Sequence, residues 1–183
     1  MTKYDWSSID YMSLVISALI IDFVVLCITR YSFGKPVNNW YNKFGINAII
    51  ADIISICIGI SIGFYLFWYF EMKYFYQLVL LCLLIQIFHD ILFYYLIIKP
   101  FPKGHNDVID VFKDYSTSSG MIFGPVDIIF FDSLMILLSL LLYCFIIKQS
   151  WDIKIFVLFL VLYSLTFIQF TRNKYTLTSE YKL

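Results

Sequence analysis

Four aspartates lie inside long apolar segments of this chain, where ionisable side chains are rare. They are Asp22, Asp52, Asp90 and Asp132. A carboxylate near the centre of a bilayer costs about 3 kcal/mol on insertion scales, so each one requires a partner, a proton or water. Such a layer of carboxyl groups is suited to passing protons or cations. It is equally suited to static hydrogen bonds between helices, and because such bonds are common we favour the static interpretation.

The third apolar segment adds further polar groups at helical spacing. Gln86, His89 and Asp90 follow i, i+3 and i+4, so they share one face of a helix. No Lys or Arg lies in the central part of any apolar segment, so fixed cations cannot neutralise all four acids. Protonation, or hydrogen bonds from amides and hydroxyls, must do so instead. The predicted intramembrane polar network comprises Asp22, Asp52, Gln86, His89, Asp90, Asp132 and Ser133.

Small residues follow Asp52 along one face of the second segment. Ser55, Gly59 and Gly63 occupy positions i+3, i+7 and i+11 relative to Asp52, and the two glycines form a G-x-x-x-G pair. A face of this kind allows another helix backbone to approach closely. We predict a tight helix contact within the bundle, with homodimerisation as the alternative.

Catalytic and metal-binding motifs do not emerge from the sequence. His89 and His105 are the only histidines, and none of the four cysteines forms a C-x-x-C pair. The chain has no P-loop or G-x-G-x-x-G motif. We therefore predict no metal, no cofactor and no catalytic residues. The net charge of zero gives no reason to expect nucleic acid as a partner.

Composition and the length of the apolar segments identify the class of protein. Hydrophobic residues make up 61% and charged residues 14% of the 183 positions, whereas soluble domains carry about 25% charged residues. Segments near 11–29, 46–69, 76–98, 127–147 and 153–170 approach or exceed the roughly 20 residues that cross a bilayer. The prediction is an all-α, polytopic transmembrane helical bundle of about five spans, forming a single membrane domain over 1–183, with the lipid bilayer as its first partner.

The distribution of positive charge predicts the orientation of the chain. Four of the 13 Lys and Arg residues fall on one side of the predicted spans and nine on the other. The positive-inside rule places the richer side, with both long loops and the C-terminus, inside and the N-terminus outside. With this topology, all four aspartates lie roughly 3 to 8 Å from the midpoints of their segments, displaced toward the inner side.

The loop before the fourth span contains a short amphipathic pattern near 107–116. Asn106 is placed to cap a helix, and Asp107 suits its first turn. The apolar positions follow helical spacing and predict an interfacial helix, or a docking surface for a soluble partner. These positions are Val108, Ile109, Val111, Phe112 and Tyr115.

The stretch from His89 to Asp132 resembles small polytopic membrane proteins of large nucleocytoplasmic DNA viruses. The residues that carry the resemblance are His89, Asp90, Phe93, Tyr94, Pro102, Gly104, Asn106, Asp110, Phe112, Lys113, Tyr115, Gly120, Asp132 and Ser133. The upstream stretch NNWYNKFGINAIIADIISICIG is similar as well. The resemblance implies a protein of the viral inner membrane or of a capsid-membrane contact, in a virion or viral-factory membrane. It implies no catalytic role.

Three functional hypotheses follow. The leading one is a structural or assembly protein of a viral membrane, whose partners are a second copy of itself or other membrane and capsid proteins. The alternative is a proton- or cation-coupled transporter or channel subunit that uses the aspartates and His89, which requires these side chains to line one cavity. A weaker alternative is an intramembrane enzyme with His89 and Asp90 as acid and base, which requires a lipid-sized cleft beside that pair.

Overall fold

The computed structural model describes residues 9–32, 35–117 and 126–171, with no description of the side chains at 32, 35–37, 115–117, 126 and 127. Within these ranges the secondary structure is helical. The helices are α1 (Tyr11–Ser32), α2 (Lys35–Phe44), α3 (Ile46–Tyr69), α4 (Phe75–Phe93), α5 (Asp107–Thr117), α6 (Val126–Ile146) and α7 (Trp151–Ile168). A π-helical turn, Tyr94–Ile98, extends α4.

Five of the helices are long and apolar enough to cross a membrane, namely α1, α3, α4 with its π-helical turn, α6 and α7. At 1.5 Å per residue, a helix of 24 residues such as α3 is about 36 Å long. The predicted fold class is therefore confirmed, including the short helix α5 between the third and fourth spans. This is an integral, multi-span membrane protein.

The outer surface of the bundle is as apolar as its core. On α3, Ile50, Ile54, Ile58 and Ile62 form an exposed row at intervals of four residues. A soluble protein rarely leaves such a continuous apolar stripe in contact with water. Hydrocarbon is the environment that accommodates it, because lipid tails impose no penalty on exposed isoleucine.

Helix α1 occupies the centre of the bundle and packs against α3, α6 and α7. One buried cluster joins α1, α3, α4 and α6 through residues such as Leu14, Phe64 and Ile136. A second joins α1, α2, α3 and α7 through residues such as Leu26 and Leu165. The two clusters fix the relative rotation of the spans and thereby decide which polar side chains face one another.

The two ends of the bundle are named after their buried cations. At the Lys154 end lie the first turns of α1 and α7 and the last turn of α6. At the Arg30 end lie the last turns of α1 and α7, together with α2 and α5. Gly45, with φ of 57°, forms the turn between α2 and α3; glycine adopts this left-handed conformation without the steric cost that a side chain would add.

Candidate functional site

Asp22 is held by a tyrosine from α2 rather than by another span. Its side chain has no solvent exposure, and the Tyr41 hydroxyl donates a 2.8 Å hydrogen bond to Asp22 Oδ1. Burial, and then the nearby Asp22 and Asp52, hold the pKa of Tyr41 well above its ordinary value. Tyr41 therefore keeps its proton and acts as a donor. Asp22 Oδ2 is buried without a hydrogen-bond partner in the described part of the chain.

Asp52 is contacted by Trp40, the residue that precedes Tyr41 in α2. Trp40 Nε1 donates a 3.0 Å hydrogen bond to Asp52 Oδ2. The carboxyl groups of Asp22 and Asp52 are also close enough to interact electrostatically. Two carboxylates in contact repel one another in a medium of low dielectric constant, and a proton held between them removes that repulsion.

Asp52 also faces a cavity of about 50 Å³ between α3, α4 and α6. Its wall contains four polar and two apolar side chains. They are Asp52, Ser55, Ile56, Gln86, Asp132 and Met135. Two of the four aspartates, one from α3 and one from α6, thus face one small polar volume.

Asp90 is connected to this cavity through Gln86. Gln86 is buried, lines the cavity, and donates a 2.8 Å hydrogen bond from Nε2 to Asp90 Oδ1. His89 Nδ1 lies 3.0 Å from the same oxygen, but its side chain is 54% exposed and its ring stacks on Phe93. Gln86 therefore faces the interior, His89 faces outward, and Asp90 lies between them.

The weaker enzyme hypothesis required a lipid-sized cleft beside His89 and Asp90. One groove, with a volume of about 320 Å³, lies between α1 and α3 and is lined by residues such as Val15, Ile54 and Ile58. Neither this groove nor the polar cavity contains His89 or Asp90 in its wall. Ser133, predicted with the network, is half-buried and does not line either cavity.

The small-residue face of α3 is covered by helices of the same chain. Ser55 lies in the wall of the polar cavity. A methyl group added at Gly59 would come within 3.5 Å of Ile136 Cδ1, and one added at Gly63 would overlap Cys82 Sγ. Because α4 and α6 occupy this face, it is not open to a second copy of the chain.

The apolar side of α5 packs on the protein. Ile109 and Val111 are buried, and the Phe112 ring lies 5.3 Å from the Trp40 ring and 5.7 Å from the Phe93 ring between centroids. Val108 is half-buried, and the side chain of Tyr115 lies outside the described residues. Asn106 Oδ1 accepts hydrogen bonds from the N–H groups of Val108 and Ile109, which caps the helix.

Helix α2 and its contacts were not predicted. The sequence analysis treated 30–45 as a loop, although Pro36 near the start and Gly45 just after the end are a typical pair of helix boundary signals. Arg30, which is 1% exposed, was missed as well. Its guanidinium donates to Asn38 Oδ1 at 3.0 Å, Asn42 Oδ1 at 2.5 Å and the Gln169 carbonyl at 3.0 Å. It thereby joins the ends of α1, α2 and α7.

The Lys154 end has a second unpredicted polar group of contacts. Lys154 Nζ donates to Asp10 Oδ2 at 2.6 Å, and the Ser13 hydroxyl donates to the same oxygen at 2.7 Å. The backbone N–H of Asp10 donates to the Tyr143 hydroxyl at 3.1 Å. Burial raises the pKa of Asp10, but the bonds from Lys154 and Ser13 outweigh burial, so the net pKa lies below the ordinary value.

Among the described residues, no Lys or Arg forms an ion pair with Asp22, Asp52, Asp90 or Asp132. The same residues contain no group of three His, Cys, Asp or Glu side chains arranged to hold a metal ion. No family model matches this chain, no curated protein is significantly similar to it, and no solved structure matches it.

Proposed function

We propose that this integral membrane protein has a structural or assembly role in a viral inner membrane or at a capsid-membrane contact. One observation carries the proposal. The aspartates of two spans hydrogen-bond to the short helix α2 at the Arg30 end of the bundle, and α2 packs against a second short helix, α5. These two helices are called the platform.

Specific side-chain contacts attach the platform to the spans and join its two helices to each other. Adjacent residues of α2, Trp40 and Tyr41, hydrogen-bond to Asp52 of α3 and Asp22 of α1. The same Trp40 ring contacts Phe112 of α5. Lys43 of α2 and Asp107 of α5 form an ion pair of 2.8 Å. The buried aspartates thus stabilise a surface at the membrane boundary, which is the static role expected of interhelical hydrogen bonds.

The outer side of the platform carries exposed charges of both signs. The side chains of Asp107 and Asp114 are 75% and 58% exposed, and that of Lys43 is 42% exposed. A mixed-charge surface avoids hydrocarbon and suits contact with a soluble protein layer. The resemblance to viral membrane proteins implies that this layer is the capsid and that the location is a virion or viral-factory membrane.

Cross-linking in purified virions tests this role. A photo-crosslinking amino acid is placed at Asp107 on the platform, where loss of an exposed ion pair costs at most about 1 kcal/mol. The matched control carries it at Asp152, an exposed aspartate at the Lys154 end. We expect a covalent adduct with a capsid-layer protein from Asp107 and not from Asp152. Absence of the protein from the virion membrane fraction, or equal adducts from both positions, contradicts the proposal.

A second candidate is a proton- or cation-coupled transporter or channel subunit. It is favoured by the polar cavity, because Asp52 and Asp132 share it, Asp22 interacts electrostatically with Asp52, and Gln86 links it to Asp90. Transport requires that ions or protons reach this group of carboxyls and leave it again. Exposed His89 does not line the cavity, so the cavity rather than the histidine carries this candidate.

Flux in proteoliposomes distinguishes the second candidate from the first. Proton and cation flux are compared between wild type, Asp52→Asn and Asp90→Asn, with Asp152→Asn as a control and folding monitored in each. Flux that disappears in a folded Asp52→Asn or Asp90→Asn protein, and persists in Asp152→Asn, supports transport. Absence of flux in the wild type removes the transporter candidate and leaves the platform role.

A further inference from the structure

We infer that this chain forms a homodimer in the membrane through the outer face of α4, with the His89 side chains of the two copies in contact. This surface, called the α4 face, consists of His89 and the exposed apolar residues around it, Leu80, Leu84, Phe88 and Leu92. The inference goes beyond the platform role, because the α4 face lies within the hydrocarbon layer and the platform lies at its boundary.

His89 is an ionisable residue that faces away from its own bundle near the middle of a span. Its side chain is 54% exposed. At about 1.5 Å per residue, it lies about 4 Å from the midpoint of the span Phe75–Ile98 and about 13 Å from the nearer end. An imidazole is too short to reach water over that distance. Ionisable residues inside spans almost always face other protein or a water-filled cavity, so we expect a protein surface to cover His89.

One ring nitrogen of His89 has a partner within the chain and the other does not. Nδ1 lies 3.0 Å from Asp90 Oδ1, and the ring stacks on Phe93. Nε2, which is farther from the backbone, forms no hydrogen bond with the described residues. In either tautomer Nε2 is a donor or an acceptor. A polar atom left in hydrocarbon is costly, and a hydrogen bond across an interface removes this cost.

A second copy of the chain brings a matching group to the depth of His89. Two copies inserted in the same direction place their His89 side chains at the same depth, and a two-fold axis along the membrane normal brings the same patch of both copies together. One imidazole then donates from Nε2 and the other accepts at Nε2. A protonated Asp90 carboxyl accommodates both tautomers, since it accepts from Nδ1–H in one copy and donates to Nδ1 in the other.

The surroundings of His89 favour close contact between two α4 helices. Among the five described spans α4 is the least buried, because 17% of the residues in its apolar stretch are buried, compared with 50% for α1. Its exposed apolar residues are spaced by four and form a ridge of the kind that packs into the groove of another helix. The span contains no Lys, Arg or Glu, so two copies bring no like charges of these residues together.

Photo-crosslinking of the purified chain in phosphatidylcholine liposomes tests where two copies meet. A photo-crosslinking amino acid replaces Phe88 on the α4 face, which is 63% exposed. The matched control replaces Phe159 of α7, which is 65% exposed and also lies near the middle of its span. We expect a covalent dimer from Phe88 and none from Phe159. Equal yields from the two positions, or no dimer from Phe88, would overturn the inference.

Variants test whether His89 holds the two copies together. Fluorescence energy transfer between donor-labelled and acceptor-labelled chains is measured as the lipid-to-protein ratio is raised. His89→Leu should weaken association by roughly 3- to 20-fold, as expected for the loss of one hydrogen bond between helices. His89→Asn should retain most of the association, because an amide both donates and accepts. Tyr163→Leu, which removes an exposed polar side chain from α7, should leave association unchanged.

The remaining outcomes separate the dimer from other occupants of the α4 face. Association of His89→Leu as strong as that of the wild type would overturn the pairing of the imidazoles. A wild-type chain that stays monomeric in liposomes, while Phe88 forms adducts with a different protein in the native membrane, would assign the α4 face to that protein and overturn the dimer. Thermal unfolding of each variant shows whether weaker association reflects loss of the fold. Neither assay depends on a capsid partner or on flux, so the platform role fails or stands separately.

Discussion

Two polar regions of this bundle, the Lys154 end and the four aspartates inside the spans, compensate buried charge in different ways. At the Lys154 end, the cation of α7 meets the carboxylate of Asp10, and Ser13 and Tyr143 complete the contacts. The other region, here called the acid layer, consists of the four aspartates inside the spans. There, Asp22 and Asp52 accept hydrogen bonds from neutral donors, Tyr41 and Trp40. The first region is balanced in charge by its own side chains. The second depends on protons to limit repulsion between its carboxyl groups.

Arg30 adds a third case that clarifies the comparison. It is a buried cation at the C-terminal end of α1, and its described partners are neutral oxygens, two from α2 and one from the C-terminal end of α7. The C-terminus of a helix carries partial negative charge, so two helix ends contribute the compensation that a carboxylate provides for Lys154. A buried cation is therefore stabilised at both ends, whereas the acids between them have no fixed counter-charge in the described residues.

The largest effect is expected from removal of the Arg30 side chain. Arg30→Met leaves the acceptors on Asn38, Asn42 and Gln169 without their charged donor, and each lost bond of this kind is costly. We expect the free energy of unfolding in detergent to fall by about 3 kcal/mol. The reactivity of the buried Cys82 thiol provides the readout, since unfolding exposes it.

The control for this variant is Arg30→Lys, which keeps the charge but not the planar fork. It should lose less stability than Arg30→Met because one ammonium group can still reach part of the acceptor set. Equal stability of Arg30→Met and wild type would show that the helix ends do not depend on this guanidinium.

The next effect concerns the ion pair at the Lys154 end. Lys154→Met removes a side chain that is 8% exposed from a partner that is 32% exposed. A fully buried pair costs about 3 to 5 kcal/mol to break and an exposed one less than about 1, so we expect a loss of about 2 kcal/mol. The double variant Lys154→Met/Asp10→Asn should be more stable than the sum of the single changes predicts, and strict additivity would contradict a direct pair.

The sequence predicted the spans far better than these contacts, for a physical reason. An apolar run long enough to cross hydrocarbon has few alternative structures, and the predicted span 46–69 coincides with α3, Ile46–Tyr69. The position of Asp52 along its helix follows from counting residues. The direction in which the Asp52 side chain points depends on how α3 is oriented about its own axis relative to α2, α4 and α6. No local sequence pattern encodes that orientation.

The short helices α2 and α5 show the same limit of prediction from the sequence. Helix α5 was predicted because Asn106 and an apolar face are local signals. Helix α2 was missed because its Trp40 and Tyr41 are as typical of a membrane boundary as of a hydrogen-bonded contact. Only the three-dimensional structure distinguishes a tyrosine that lies among headgroups from one that donates to a buried carboxyl group.

A smaller effect, of opposite sign in the two regions, is expected from paired Asp→Asn changes. Asp10→Asn weakens the bond to Lys154 and should lower the free energy of unfolding by about 1 kcal/mol. Asp22→Asn retains an acceptor for Tyr41 while it removes an ionisable group from an apolar environment, so stability at neutral pH should stay the same or rise by up to about 1 kcal/mol. A loss above about 2 kcal/mol in Asp22→Asn would show that the ionised carboxylate itself is structural.

The smallest effect is the response of the Lys154 end to acid. The folded-state pKa of Asp10 lies below its ordinary value of 3.8, because the bonds from Lys154 and Ser13 outweigh burial. The unfolded chain therefore binds the proton first as the pH falls. The contribution of Asp10 to stability is complete above about pH 4 and is lost as the pH falls through the folded-state pKa. Since Asp10 is partly exposed, this contribution is less than about 1 kcal/mol.

Unfolding curves of wild type and Lys154→Met between pH 6 and about pH 3 measure this response. The stability difference between the two proteins should be constant down to about pH 4 and then shrink, because protonation of Asp10 removes what Lys154 stabilises. Asp152→Asn serves as the control, since Asp152 lies at the same end and is exposed. A difference that stays constant to the lowest pH would mean that Lys154 stabilises this end by packing its carbon chain rather than by its charge. The charge balance that distinguishes this end from the acid layer would then be incidental to its stability.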